Sequence, residues 1–431
     1  MPAKSALLIE AGRVWKSVWK PEIEMARSPH DTNRMPSHRV MAYCHDSVGI
    51  GHLRRTMSIC ERISREHHDS SFLLATGTPY VPLFNQVPRV DYVKLPALEK
   101  EASGNYGSKY LNISLSQIIR CRKSMLMRAA EHLEPDVLLV DKAPLGVCRE
   151  LVPTLRWLRR HRPNTRIIFG MRDIEDSSEA TIRQWDKDGV LEVLDTCFDE
   201  IWIYGMAEVF NPLIEYRIPP SIGRKVRFMG YVTRDHPAVQ AAPVPAQRRV
   251  LVTVGGGTDG EALIEAYLAE AAGRLSDRGI ATTIVGGPDL PSRAASRLRD
   301  KAATIAAVEW VDFEPCMSGR IAQANLIVSM GGYNTLCEIA LQHKPVLVIP
   351  RIRPRLEQAI RAERWSQLGG VFSLPPPELT PTALSRRVID LLESGPEVVS
   401  MRLDLRGLDR VAERFQEFWS KDHCHATPVC L

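Results

Sequence analysis

Residues 325–362 read NLIVSMGGYNTLCEIALQHKPVLVIPRIRPRLEQAIRA, and this stretch decides the fold. Leu326 to Val328 is a short apolar run that reads as a buried strand. Gly331-Gly332 then turns the chain, and Asn334 and Thr335 follow as good helix caps. A helix is expected from Leu336 to about Gln342. Pro345 restarts the chain as a second apolar strand, Val346 to Ile349. After a basic loop a second helix begins near Leu356. A strand, a glycine turn and a helix in succession put bare backbone N–H groups and a helix N-terminus at the carboxyl end of a parallel sheet. Anionic ligands bind at such places.

The same alternation extends in both directions. Upstream, strands are expected at Val40 to Tyr43, Phe72 to Ala75, Tyr92 to Leu95, Val137 to Val140, Arg166 to Gly170 and Glu200 to Tyr204. Helices are expected between them, at Arg54 to Arg65, Ser114 to Leu133, Val147 to Arg160 and Thr181 to Leu194. Glu99 to Asn112 is polar and rich in Gly and Ser, and reads as a mobile loop over a site. The stretch HPAVQAAPVPAQRR, from His236 to Arg249, has no apolar period and reads as a linker. Beyond it the pattern restarts with strands at Val250 to Val254, Ala281 to Val285 and Val308 to Val311. Helices follow at Leu384 to Leu392 and Arg406 to Trp419.

The expected organisation is therefore two α/β halves facing each other across a cleft. It comprises an extension (1–36), an acceptor-side domain (37–235), a linker (236–248), a donor domain (249–400), a C-terminal helix (401–420) and a tail (421–431). The extension carries Leu7, Leu8, Ala11, Val14, Trp15, Val18 and Trp19 on one helical face. It reads either as disordered or as a partly helical membrane-surface segment.

Composition narrows the function classes. Hydrophobic residues make up 44% of the 431 and charged residues 25%, the values of a globular protein in water. The formal charge is +5, of which residues 1–39 contribute +3, and no basic stripe with interleaved aromatics is present. Nucleic acid is therefore not an expected partner. The nine cysteines form no CxxC pair and read as reduced thiols of a cytoplasmic protein. The tail HCHATPVC lacks the paired spacing of a zinc site, so no metal is expected. No apolar run reaches the length of a membrane span.

Three strand-to-helix turns carry glycine. GGGTDG at 255–260 spells G-x-G-x-x-G, but the strand after it ends at Val285 in Gly286-Gly287-Pro288. A dinucleotide site needs an acidic residue there for the ribose, so that reading fails its own requirement. GIGH at 49–52 lacks the third glycine, and no GKS or GKT follows any loop.

Taken together, GGGTDG (255–260), SMGGYNTLCEIA (329–340) and PVLVIPRIRPRLEQAIRA (345–362) resemble the donor domain of the family 28 glycosyltransferases. The loop DSVGIGHLRR (46–55) resembles the first glycine loop of their fold. The resemblance covers most of residues 38–420. It implies the α/β GT-B architecture, two Rossmann-like doubly wound domains facing across a cleft. It also implies an inverting transfer of a hexose or N-acetylhexosamine from a UDP-sugar, with no cofactor and no obligatory metal. The alternatives are a nucleotide-sugar epimerase of the same fold and a non-catalytic nucleotide-sugar binding protein.

The physics of a diphosphate suits these turns. Gly331, Gly332, Asn334 and Thr335 offer N–H donors at a helix start, and Gly255, Gly256, Gly257 and Thr258 face them from the neighbouring strand. The resemblance implies that Glu338 accepts hydrogen bonds from the ribose hydroxyls, that Gln358 holds the donor sugar and that Phe313 lies against the uracil. Relatives carry Asn three residues after that Gln. Here Arg361 stands there, either as a contact to a different donor or as an exposed helix charge.

In the other half, His52 follows Gly51 at the mouth of a helix and is the first choice for the base that deprotonates the acceptor. Asp46, Asp141 and Asp173 sit near strand ends as rival bases or His partners. Gly49, Gly51 and Arg172 are candidates for acceptor or phosphate contact, and Arg351, Arg353 and Arg355 for phosphate steering. The acceptor hydroxyl is not legible; a lipid acceptor would bring peripheral membrane contact.

Overall fold

Short apolar runs separated by amphipathic stretches fold here as parallel strands buried on both faces, the arrangement that continuous rather than alternating hydrophobicity predicts. The computed structural model describes residues 38–44, 51–83, 87–100, 106–234, 247–395 and 402–424. The expected extension (1–36), most of the linker and the end of the tail lie outside them, as do Asp46 and Gly49. Residues from His38 onward form one compact unit.

The first half is built from β1 (His38–Cys44), β2 (Ser70–Thr76), β3 (Val90–Lys94), β6 (Val137–Asp141), β7 (Arg166–Arg172), β8 (Glu200–Tyr204) and β9 (Val226–Phe228). They form one sheet in the order β3-β2-β1-β6-β7-β8-β9, with every pair parallel. Between β3 and β6, β4 (Leu98–Lys100) and β5 (Tyr106–Ser108) pair as an antiparallel hairpin. The described part of the polar stretch expected to be a loop is thus a small ribbon. Helix α1 (Gly51–Glu66) follows β1. The single helix expected over 181–194 is two, α2 (Ser178–Asp188) and a second over Val190–Cys197. Gly189 separates them with φ 63°, a left-handed conformation that ends the first helix.

The second half holds β10 (Arg249–Thr253), β11 (Ala281–Val285), β12 (Val308–Val311), β13 (Leu326–Ser329), β14 (Val346–Val348) and β15 (Val371–Ser373). Their order is β12-β11-β10-β13-β14-β15, again all parallel. Both sheets reverse strand order beside their first strand, which opens a crevice at the carboxyl ends. Helix α3 (Tyr333–Leu341) follows β13, and α4 (Glu357–Ser366) follows β14. The last helix, α5 (Gly407–Cys424), returns to the first half. Its Phe415 and Phe418 rings lie 5.9 and 6.4 Å from Trp202 of β8, and Asp409 pairs with Arg62 of α1 at 2.8 Å.

The two halves meet along a buried seam. α3 starts three residues earlier than its cap residues suggest, because packing places Tyr333 in the core, 4% exposed. The Tyr333 hydroxyl donates to the Tyr204 carbonyl and accepts from the Val232 N–H, both at 3.0 Å. Trp365 Nε1 donates to the Tyr231 hydroxyl at 3.1 Å.

Arg361 of α4 is fully buried. It donates to both Asp173 oxygens at 2.8 and 2.7 Å and to the Gly331 carbonyl at 3.3 Å. The guanidinium lies 5.6 Å from the Tyr333 ring centroid. Arg361 is therefore neither a donor-sugar contact nor an exposed helix charge. Asp173, 1% exposed, has both oxygens committed to this pair and is not a base. The neighbouring residues continue the seam: Leu356 N–H donates to Asp176 Oδ1 at 2.9 Å, and Arg355 stands 3.6 Å from Glu175 Oε2. Glu175 also takes Lys142 Nζ at 2.9 Å.

Two predictions follow from the seam's chemistry. Arg361→Met leaves the Asp173 carboxylate buried without its cation, and should cost about 3–5 kcal/mol in urea unfolding. Adding Asp173→Leu should restore most of that loss; a single variant as stable as the wild type would contradict the pairing. The second concerns acid. Burial alone would raise the Glu175 pKa, but Lys142, Arg172 and Arg355 overcome it and hold the group at about 2, below its ordinary 4.5. Its stabilisation is then complete above pH 4.5 and disappears as the pH falls toward 2. The melting temperature of Glu175→Gln should fall less steeply than that of the wild type across that window.

Candidate donor and acceptor cleft

Five chain turns converge at the carboxyl ends of the two sheets and line a cavity of about 250 Å³. From the first half come Gly51, His52, Arg54, Arg55 and Arg172. From the second come Gly255, Gly256, Gly257, Thr258 and Asp259 after β10, Gly332, Tyr333, Asn334 and Thr335 after β13, and Arg351 and Gln358 after β14.

Backbone geometry requires glycine at two of these turns. Gly257 has φ 98°, and a Cβ there would stand 2.5 Å from the Gly286 carbonyl. Gly331 has φ 78°, and a Cβ there would meet Val348 at 2.7 Å. The turn at 255–258 is braced by the Gly286-Gly287 turn after β11, through Asp289 N–H to the Gly256 carbonyl at 2.7 Å. Tyr80 of the first half holds the Asp289 carboxylate at 2.9 Å. Gly332 caps α3 without a side-chain hydrogen bond. The helix thus presents its first N–H groups and the positive end of its dipole to the cavity. Asn334, expected as a cap, instead lies in the first turn and donates from Nδ2 to the Gly51 carbonyl at 2.8 Å.

The cations around the cavity differ in how they are used. Arg351 is paired with Asp259 at 2.9 Å and Glu357 at 2.6 Å, tying two of the turns together. Its backbone N–H occupies the Oε1 of Gln358 at 3.1 Å. Arg55 is buried and donates to both Asp141 oxygens, at 2.7 and 3.0 Å from Nη2. Arg172 stands apart. Among the described residues it makes no ion pair, and its buried Nε has no hydrogen-bond partner. Burial depresses its pKa, partly countered by Glu175 and Glu357 and reinforced by Arg361 and Arg55. A half-buried guanidinium on a cavity wall, near Glu175 and Glu357 but in direct ion pair with neither, is chemically suited to a bound anion.

His52 and Asp141 meet with Nδ1 2.9 Å from Oδ2. Arg55 Nη2 lies 3.0 Å from the same Nδ1. Asp141 is 2% exposed. Burial raises its pKa, and Arg55, Arg172 and Lys142 oppose the rise. With the proton on Nδ1, the carboxylate is satisfied and Nε2 carries the lone pair. Asp141 is thereby the histidine's partner rather than a rival to it.

Other expected residues sit elsewhere. Glu338 is 5% exposed and lies beneath Arg54, whose Nη1 is 3.4 Å from Oε1; its buried Oε2 has no partner. It borders only a small space of about 10 Å³ beside the main cavity. Phe313 is half-buried after β12 and is not part of the cavity lining. Arg353 is exposed. Arg54 and Arg55 line the cavity without having been singled out in the sequence, although both stand in the quoted loop next to His52.

The chain also contains one Asp-x-Asp triplet, Asp186-Lys187-Asp188, in the last turn of α2. Residues two apart on a helix point to different sides, so these carboxylates do not converge. Among the described residues no group of three or more His, Cys, Asp or Glu side chains could hold a metal ion, and no helix is long and apolar enough to cross a membrane.

Residues 250–409 match the Glycosyltransferase family 28 C-terminal domain. One relative is the UDP-N-acetylglucosamine--N-acetylmuramyl-(pentapeptide) pyrophosphoryl-undecaprenol N-acetylglucosamine transferase of Methylorubrum extorquens (strain PA1). It is 27% identical over 163 residues, which cover 36% of this chain and 44% of the relative. The match therefore spans less than half of that relative's length. Among solved structures, CalG4, the calicheamicin glycosyltransferase, superposes with a TM-score of 0.59 at 15% identity, covering 91% of this chain and all of the other. The UDP-GlcNAc 2-epimerase from Neisseria meningitidis bound to UDP-GlcNAc does so with 0.54 at 15% identity, covering 89% of this chain and all of the other. The chain has the GT-B fold and is family 28-like, its residues 250–409 matching that family's C-terminal domain.

Proposed function

We propose that this protein transfers a hexose or N-acetylhexosamine from a UDP-sugar to an acceptor hydroxyl, with inversion and without a metal. The observation that carries the reading is Arg172, a half-buried cation that makes no direct ion pair among the described residues and whose buried Nε has no partner, in the wall of the cavity formed with two glycine turns and the N-terminus of α3. A nucleoside diphosphate supplies what that wall lacks. Its phosphates would take the backbone N–H groups of 255–258 and 332–335, the helix dipole and the Arg172 guanidinium. The similarity of residues 250–409 to family 28 points to a UDP-sugar, and the transferase relative carries UDP-N-acetylglucosamine in its name.

In the reaction proposed, the acceptor oxygen forms a bond to the anomeric carbon as the bond from that carbon to the diphosphate oxygen breaks. UDP leaves with the electron pair, and the acceptor proton passes to His52 Nε2. Asp141 orients the imidazole and stabilises the imidazolium that forms. Glu338 would hold the ribose hydroxyls through the oxygen that has no partner, once Arg54 swings aside. The same fold serves an epimerase, so the choice of transfer rests on the His52–Asp141 pair and on the family match.

Isothermal calorimetry with UDP tests the site. Arg172→Met and Glu338→Ala should each weaken binding about tenfold, the value of one charge-assisted contact. His52→Ala should leave UDP affinity unchanged while lowering transfer by roughly a hundredfold or more. UDP affinity indifferent to both Arg172→Met and Glu338→Ala would overturn the assignment.

A further inference from the structure

A second cavity, of about 490 Å³, lies beside the first and shares two of its loops. Arg172 is in the wall of the first and Glu175 in that of the second. Arg351 and Gln358 border the first, Pro354 and Arg355 the second. Asp141, the partner of His52, runs directly into Lys142 of the second cavity.

Three features mark this cavity as built. Its wall contains three non-glycine residues in the left-handed region, Lys142 (φ 66°), Cys148 (φ 49°) and Arg149 (φ 59°). Each costs backbone energy, and such residues persist where the surroundings hold them in place, most often around functional sites. Glu175 is 6% exposed, yet its Oε1 has no hydrogen-bond partner among the described residues. A buried carboxylate oxygen in that state is open to a donor, from a ligand hydroxyl or a water. The third feature is charge. The lining carries three cations, Lys142, Arg149 and Arg355, and three carboxylates, Glu175, Asp176 and Asp188. Lys142 and Arg355 both face Glu175, at 2.9 and 3.6 Å, and Arg149 is spent on the Asp188 carbonyl.

An anionic ligand would meet the carboxylates, and a cationic one the Lys142–Arg355 pair. A neutral molecule with several hydroxyls meets neither penalty and supplies the donor Glu175 lacks. Trp185, a core side chain 9% exposed, adds an apolar border to the wall.

We propose that this cavity is the acceptor subsite, and that it takes an uncharged, polyhydroxylated acceptor, a carbohydrate, with Glu175 accepting a hydrogen bond from one of its hydroxyls. This rests on the glycosyl-transfer reading above and narrows it. It also makes the subsite dependent on the seam, because Arg355 and Pro354 come from the donor half.

The test is ligand-observed saturation-transfer NMR, with and without UDP. The probes are neutral methyl glycosides alongside the matching uronic acids and sugar phosphates. Neutral glycosides should bind more tightly than their charged counterparts. Ala180→Phe, which fills the cavity from α2 without changing any charge, should abolish that binding and leave UDP affinity intact. Glu175→Gln should weaken it about fivefold. Tighter binding of the charged probes, no binding of any neutral glycoside, or glycoside binding indifferent to Ala180→Phe would each overturn the proposal. Wild-type protein that binds glycosides in the Ala180-sensitive way but does not bind UDP would instead refute the transfer reading and leave this cavity as a carbohydrate site with no acceptor role.

Discussion

The buried pair between Asp173 and Arg361 is the constraint on which the rest of the cleft depends. Two charges removed from water are expensive unless each is fully satisfied, and here both carboxylate oxygens meet guanidinium nitrogens. The pair spans the two halves, and Arg361 also holds the Gly331 carbonyl. The turn that ends β13 is therefore fixed to the strand end of the opposite sheet. A second buried pair, Arg55 with Asp141, lies within the first half, and both guanidinium groups lie over the Tyr333 ring, at 5.3 and 5.6 Å. The Asp173–Arg361 pair, which spans the halves, rewards one relative placement of them and penalises the others.

That placement explains how the site is divided. Asp141 and Asp173 occupy similar positions after neighbouring strands, yet one orients His52 and the other locks the halves together. Arg172, next to Asp173 in sequence, makes no direct ion pair among the described residues. Asp141 and Asp173 are taken by Arg55 and Arg361, and Arg172 stays half-buried on the cavity wall for an entering anion. In the adjacent cavity the balance is reversed, with cations neutralised and one carboxylate oxygen left over.

The amino-acid order revealed more of the fold than of the site. Strands such as Ala281–Val285 were legible because a run buried on both faces is built from small, apolar or β-branched residues, here Ala, Thr, Thr, Ile and Val. The glycine turns were legible because φ values such as that of Gly257 exclude other residues. Arg361 was not legible. A basic residue in a helix of mixed charge looks solvated unless its partner is known, and Asp173 lies 188 residues away. The start of α3 was misplaced for a related reason: local capping preference favoured Asn334, but the burial of Tyr333 against the other half decided it. The break at Gly189 was visible as a glycine, but the apolar period continues across it.

A crystal structure of the protein with UDP is the decisive measurement. The diphosphate should lie between the turns at 255–258 and 332–335, with the Arg172 guanidinium in hydrogen-bond contact with a phosphate oxygen and the Asp173–Arg361 pair intact. A diphosphate bound elsewhere, or bound there with Arg172 turned away from it, would rule out the donor site described above.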